Sequence, residues 1–269
     1  MDYWRRDFDD SLAPRWRQVE GKDSKQGSVD HRDNVFESRT CLHRYGMIPT
    51  LQRHHMLTRR SLAHMAMHVD IVDCLVFAGS ERVLGRIVTE SDRQLVQRRL
   101  REQWAPSARA RDATFYALRF LCEVLIPEEE LSAKQRTNPG QPPNFTYSAR
   151  DDYLLNRPWV LYFALLIVWS YGYALDGPIR PSNYTLTTRE LRIFDMQRYL
   201  IRMGGVASPD DLEKLKDRNS CLGLLLLLRE SFKKPRWELL HEAREVLGSC
   251  VELLLPGHSE LAAKHEQQV

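Results

Sequence analysis

One stretch constrains this chain more than any other: a predicted helix over residues 158–175 that is apolar on nearly every side. The sequence around it reads RPWVLYFALLIVWSYGYALD. Pro158 is suited to the first turn of a helix, and Gly177, which is followed by a proline, supplies a stop. Because no polar stripe runs along this helix, it must be surrounded either by the core of a protein or by lipid.

A protein core is the favoured surrounding. The apolar run is roughly 17 residues long, which is the lower limit for crossing a bilayer, and it contains Ser170 and Gly172. We therefore expect a buried core helix and no membrane contact. Large apolar side chains of this helix and of two later segments are predicted to form the structural core: Trp159, Phe163, Trp169, Leu225 and Trp237.

The rest of the apolar residues recur three to five positions apart, as they do along amphipathic helices. Glycine and proline separate these segments, and no stretch alternates apolar and polar residues over the length of a strand. Further helices are predicted at 57–76, 83–105, 107–125, 188–203, 221–228 and 236–254. The predicted fold class is therefore all-α, a multi-helix domain built around the buried helix.

The composition of the 269 residues changes along the chain and suggests three parts. Residues 1–39 mix charges with small polar residues, so we predict a flexible N-terminal arm without a signal peptide. Residues 40–256 form the predicted helical domain, which a proline-rich loop near 127–149 interrupts. Residues 257–269 are a predicted C-terminal tail.

The cysteines and histidines do not have the spacing of a metal site. The 5 cysteines are widely separated, which is typical of reduced thiols, and only Cys41 and His43 are close enough to suggest part of a zinc finger. His64 and His68 are four residues apart and could share one ion, but no third ligand is near them. We predict no metal and no cofactor in this chain.

Catalytic signatures are also missing from the sequence. It has neither a G-x-S-x-G elbow nor a glycine-rich phosphate loop. Asp151 and Asp152 lack the third aspartate with which an all-α terpene cyclase would hold magnesium, so we interpret them as a solvated pair at the entry to a helix. The sequence therefore predicts no catalytic residue and no enzyme.

The charge of the chain is only mildly basic, with a net +3 and a pI of about 8.6. Six arginines between residues 93 and 111 form the densest basic stretch, but acidic residues such as Glu102 and Asp112 are interleaved with them. Local neutralisation of this kind is more typical of a solvated helix face than of a phosphate-binding site. We expect any contact with DNA to be indirect.

Three blocks of sequence carry a resemblance to a known family. They are ARARDATFYALR at 108–119, the segment 156–174 from NRPWVLY to WSYGYA, and GLLLLLR at 223–229 followed by RWELL at 236–240. Together, within residues 41–255, they resemble the fungal-specific transcription factor regulatory domain that follows two-cysteine two-histidine zinc fingers in filamentous fungi. The resemblance implies a nuclear, all-helical regulatory and interaction module without catalytic residues.

The family resemblance leaves two functions open. The first is a regulatory domain that binds a protein partner or itself, with DNA reached only through zinc fingers that this sequence lacks. The second is an all-α enzyme or binding protein for a hydrophobic small molecule, with a cavity around the aromatic helix. The missing paired carboxylates favour the first. Because related domains begin with further helices, we also expect segments 159–175 and 221–228 to expose apolar surface.

Overall fold

The structure is a computed structural model that describes residue 58 and the ranges 61–126, 145–179, 186–233 and 239–255. The predicted arm, the predicted tail, Trp237 and most of the proline-rich loop lie outside these residues. The helices are α1 (61–68), α2 (Ile71–Phe77), α3 (Glu90–Arg98), α4 (Ala108–Leu125), α5 (Arg157–Asp176), α6 (Arg189–Gly204), α7 (Asp211–Lys214), α8 (Leu222–Ser231) and α9 (Leu239–Leu254). Because these residues add no more than one two-stranded ribbon to the helices, the prediction of an all-α fold is confirmed.

Helix α5 lies at the centre of the described residues. It packs most extensively on α4 and also contacts α2, α8 and α9. Pro158 lies in its first turn, and Gly177 ends it with a positive φ of 71°, a conformation that glycine adopts without strain. In the described part of the chain it is the one helix long and apolar enough to cross a membrane, and 72% of its apolar window is buried inside the protein.

The predicted core residues of α5 occupy two different environments. Trp169 is fully buried, and its ring stacks on Tyr173 with 5.0 Å between centroids. Trp159 and Phe163, one turn apart, are only half-buried at the edge of the core, with 6.1 Å between their rings. On α8, Leu225 is fully buried. Trp159 and Phe163 therefore lie on the side of α5 that faces the rim of the core, whereas Val160 and Leu161 in the same turns are fully buried.

The two most apolar helices are covered by their neighbours. Helix α8 packs between α6 and α9, and a Cβ at Gly223 would lie 2.5 Å from the carbonyl oxygen of Arg192 on α6. At Gly172 on α5, a Cβ would lie 2.3 Å from the carbonyl oxygen of Arg218. These approaches require glycine. The expectation that α5 and α8 expose apolar surface is therefore wrong within the described residues.

A β-hairpin and its exit replace the first two turns of the helix predicted from residue 83, and α3 begins only at Glu90. Strand β1 (Arg82–Val83) pairs antiparallel with β2 (Arg86–Ile87). Between them Leu84 and Gly85 both have positive φ, at 51° and 79°, as a type I′ turn requires. Val83 and Ile87 are four residues apart, a spacing that fits a helical period and led to the prediction of a helix here. The glycine between them was the signal of a turn.

Side-chain caps determine where several helices begin. Ser107 caps α4 as predicted, since its hydroxyl accepts a hydrogen bond from the backbone N–H of Ala110. Asp70 caps α2 and so divides the single helix predicted over 57–76. Thr188 caps α6, since its hydroxyl accepts a hydrogen bond from the backbone N–H of Leu191 at 3.3 Å. Local polar side chains thus set the boundaries that apolar spacing left undecided.

We predict that Trp169→Ala destabilises the domain by about 3–5 kcal/mol, the range for deleting a large core aromatic side chain. Chemical denaturation followed by circular dichroism measures this cost. Trp159→Ala on the same helix is the matched control, and its half-buried side chain should give a clearly smaller loss. Trp169→Phe should also cost less than alanine, because the buried indole N–H has no hydrogen-bond partner among the described residues. Equal losses for both alanine variants would contradict the prediction.

Candidate functional site

His64 and His68, the pair whose spacing could hold one ion, are not part of a larger cluster of metal ligands in the described residues. Among the described residues, no group of three or more histidine, cysteine, aspartate or glutamate side chains could hold an ion. The ring of His64 stacks on Tyr116 with 4.4 Å between centroids. The backbone carbonyl of His68 accepts a hydrogen bond from the indole N–H of Trp104 at 3.1 Å. The side chain of His64 therefore packs on an aromatic ring, whereas His68 contributes a backbone acceptor.

The described cysteines are unsuited to nucleophilic chemistry. Cys74, Cys221 and Cys250 are free and buried, and Cys122 is free and half-buried. Burial raises the pKa of the Cys74 thiol to about 12 and has the same effect on Cys122 and Cys221. Because the thiolate is the nucleophile, these side chains remain unreactive thiols at neutral pH.

A shallow cleft of about 280 Å³ opens between the α1–α2 junction and the segment that follows α3. Its lining mixes polar and apolar side chains of both charge signs: His68, Val69, Asp70, Asp73, Arg99, Leu100, Gln103, Trp104, Ser107 and Arg109. No residue of α5 contributes to this lining. The cleft therefore does not match the cavity for a hydrophobic molecule that the sequence left open around the aromatic helix.

A π-helical segment, Arg99–Trp104, forms one wall of the cleft. Its wider turn is visible where the N–H of Ala105 donates to the carbonyl of Leu100, five residues earlier, at 2.8 Å. Segments of this kind are rare and often mark functional positions. Here the wide turn presents Arg99 and Trp104 to the junction between α1 and α2.

Three long side chains form hydrogen bonds between the two walls of the cleft. The guanidinium of Arg99 donates two hydrogen bonds to the Asp73 carboxylate, of which the Nε–Oδ2 contact is 2.7 Å. Trp104 donates to His68, and Arg109 donates to the carbonyl of Met67 at 3.1 Å. These hydrogen bonds fix the two walls of the cleft relative to each other, and they leave the Asp73 carboxylate and the Arg99 guanidinium paired with one another.

Asp73 is the titratable group of the cleft whose environment is most altered. Only 8% of the residue is exposed, and burial raises the pKa of its carboxyl group, while the hydrogen bond and charge of Arg99 oppose the rise. The charge of Asp70 raises it further. Burial is the larger effect, so the ion pair only partly offsets the cost of ionising Asp73.

The basic stretch is largely solvated, as expected, and it also contacts neighbouring elements. Arg99, Arg101 and Arg109 are exposed, while Arg111 is half-buried. Arg111 lies 3.2 Å from the Asp210 carboxylate just before α7, and the guanidinium of Arg101 lies 5.7 Å from the centre of the Tyr173 ring. The arginines of this stretch are therefore solvated side chains whose guanidinium groups also reach other elements.

The interpretation of Asp151 and Asp152 as a solvated pair is also wrong for one member. Asp151 is exposed and accepts a hydrogen bond from Ser148 at 2.8 Å. Asp152 is buried, and its carboxylate accepts hydrogen bonds from Arg157 Nε at 2.7 Å and Nη2 at 2.8 Å. This bidentate pair fixes the entry to α5. It has no open position for a metal-bound substrate.

The outer face of α6 carries an exposed apolar stripe that was not predicted from the sequence. Leu191, Phe194 and Ile201 are 45%, 57% and 49% exposed. A helical projection places them about half a turn away from the buried Met196 and Leu200. The sequence does contain a signal of this second face. Helix α6 has seven large apolar residues among 16, which is more than one buried face accommodates.

Comparison with known proteins finds two fungal relatives. The chain is 25% identical over 187 residues to the nicotinate catabolism cluster-specific transcription factor of Emericella nidulans, a match over 69% of this chain and 18% of that protein. It is 27% identical over 200 residues to zinc finger protein klf1 of Schizosaccharomyces pombe, over 73% of this chain and 22% of that protein. The chain therefore spans about a fifth of the relatives' length.

Two further comparisons give no match. No protein-family model matches the chain. No solved structure matches it either.

The raised pKa of Asp73 gives a prediction about pH. The folded state binds this proton more tightly than the unfolded chain does. The loss of folding stability caused by the charged carboxylate is therefore fully present above the folded pKa and disappears as pH falls through it. Asp73→Asn stays neutral throughout. The stability of the variant relative to wild type should therefore decrease as pH falls from 7 towards 4, as measured by urea denaturation at each pH.

Asp92 supplies a control, because the pKa of its carboxyl group is shifted in the opposite direction. Hydrogen bonds from the side chain and backbone of Thr89 lower the pKa of its carboxyl group. The stability it contributes is present above the unfolded pKa and is lost as pH falls through the folded one. The stability of Asp92→Asn relative to wild type should therefore increase as pH falls. Parallel slopes for Asp73→Asn and Asp92→Asn would contradict the assignment of burial as the dominant effect at Asp73.

Proposed function

We propose that this chain is a non-catalytic regulatory and interaction module of a fungal transcription regulator. The observation that carries the proposal is the pair of fungal relatives, one of which is a transcription factor, matched over 69% and 73% of this chain. The matched region is only 18% and 22% of those proteins. A shared segment of this size, within longer proteins, fits a module that is combined with other parts.

The family resemblance adds a second line of support. The described residues of its blocks lie on α4, α5, α8 and the start of α9, and these helices contact one another: α4 packs on α5, and α8 packs on both α5 and α9. The buried apolar residues of these blocks therefore belong to one continuous core. A common core is what a shared helical module requires.

The partners of the module follow from its surfaces. The described exposed face of α6 is apolar, which suits a protein partner. No cysteine and histidine pairs of the printed sequence have zinc-finger spacing, so we propose that DNA is reached through another region or another chain. Nuclear localisation follows from the same proposal.

A tethering experiment tests the proposed function. The full chain is fused to a heterologous DNA-binding domain and expressed in a fungal host with a reporter gene that carries the matching sites. We expect reporter transcription to change several-fold relative to the DNA-binding domain alone. The fusion with Trp169→Ala should lose the effect, since the helical core around that residue is needed.

The controls separate regulation from abundance. Immunoblotting must show equal amounts of each fusion in the nucleus, and Trp159→Ala, which alters a half-buried position on the same helix, should retain the effect. A wild-type fusion that is present in the nucleus but leaves transcription unchanged would overturn the proposed function.

We also expect the isolated chain to bind duplex DNA without sequence specificity, because the described residues contain no element with recognisable base-reading geometry and two arginines of the basic stretch, Arg109 and Arg111, already contact other elements. Fluorescence anisotropy with unrelated duplexes at a fixed salt concentration measures this. Weak binding that salt abolishes agrees with the prediction. Discrimination above about a thousandfold, the lower end for specific binders, would contradict it.

A further inference from the structure

The outer face of α6 has a self-complementary order of residues. Measured from residue 196, Leu191 and Ile201 lie five positions to either side, and Phe194 and Arg198 lie two positions to either side. Both members of each pair are exposed, and the Arg198 side chain is 62% exposed. Such an arrangement has a specific geometric meaning, because a twofold axis through an antiparallel helix pair brings equal and opposite positions together.

The charges follow the same order. Glu190 and Arg202 lie six positions to either side of residue 196, and they carry opposite charges. Glu190 is exposed, and Arg202 is half-buried where it donates to the carbonyls of Lys216 and Asp217. In an antiparallel pair each glutamate of one copy would therefore face an arginine of the other. A parallel pair would instead oppose like residues.

We propose that α6 is a homodimer interface in which the helix packs antiparallel against its copy about a twofold axis near residue 196. Leu191 then packs on Ile201 of the second copy, and the ring of Phe194 accepts the guanidinium of Arg198 in a cation–π contact. Each pairing occurs twice. This surface is distinct from the cleft, and the inference does not depend on the proposed function.

The size of the interface sets its strength. Residues 190–202 span about 18 Å at 1.5 Å per residue, so a single helix pair buries less than the roughly 1,200 Å² of a standard interface. The dimer is therefore weak, and it forms and separates with concentration. A dimer of this strength is suited to being exchanged for another helical partner.

An exchange of side chains tests the interface and its direction together. Sedimentation equilibrium of the full chain over a range of concentrations should show a reversible monomer–dimer equilibrium. Phe194→Arg sets two arginines against each other and should weaken the dimer about tenfold or more. The double variant Phe194→Arg with Arg198→Phe restores the ring–guanidinium pair in reversed order and should recover most of the affinity.

A matched control keeps the result specific. Leu95 on α3 is exposed to a similar degree, at 59%, and Leu95→Arg should leave the dimer unchanged. Circular dichroism melts of all variants must show that the fold is retained. A monomeric wild type at every soluble concentration would overturn the proposal, and so would a dimer that survives Phe194→Arg or dissociates equally with Leu95→Arg.

Cross-linking fixes the register independently of affinity. Leu191→Cys combined with Ile201→Cys should form an intermolecular disulfide under mild oxidation, because the proposed pairing places these positions opposite each other. Leu191→Cys alone should not, since its copy would lie near the other end of the helix. Efficient cross-linking by the single variant would indicate a parallel pair. Absence of cross-linking in the double variant would overturn the antiparallel register.

Discussion

The enclosure of α5 is the constraint on which the other packing depends. A 20-residue helix whose apolar side chains point in all directions leaves no side for water, so neighbours must cover it around its circumference. In the described residues α4, α2, α8 and α9 provide this cover. Each of these neighbouring helices needs apolar side chains only on the sides that face α5 and the other helices. This division explains why a single helix lacks a polar face while those around it keep one.

Polar ties hold the ends of this apolar arrangement. Asp152 holds Arg157 at the start of α5, and Asp176 at its end accepts hydrogen bonds from the backbone N–H and guanidinium of Arg218, at 2.7 and 2.8 Å. Bidentate carboxylate–guanidinium pairs are directional, whereas apolar burial is not. The apolar contacts therefore supply most of the stabilisation, and the pairs at both ends fix where the chain enters and leaves α5.

How much could be predicted from the sequence differs between these two kinds of contact. Apolar periodicity predicted α4, α5, α6 and α8 close to their observed ranges, because periodicity reports burial directly. It could not predict that Arg99 reaches Asp73, or that Asp152 is buried, because such pairs depend on which elements meet in space. The same limit applied to α6. Its apolar residues were visible in the sequence, but assigning Leu191, Phe194 and Ile201 to the outside required knowing which side α4 and α8 cover.

The buried thiols have a consequence of another kind. Cys74 on α2, Cys221 before α8 and Cys250 on α9 come from three different elements of one core, and none is exposed to solvent. A thiol that is buried and protonated meets an oxidant or alkylating reagent only when the surrounding helices open. These cysteines are therefore native reporters of opening: their modification rates record how often this core loosens, without any label being introduced.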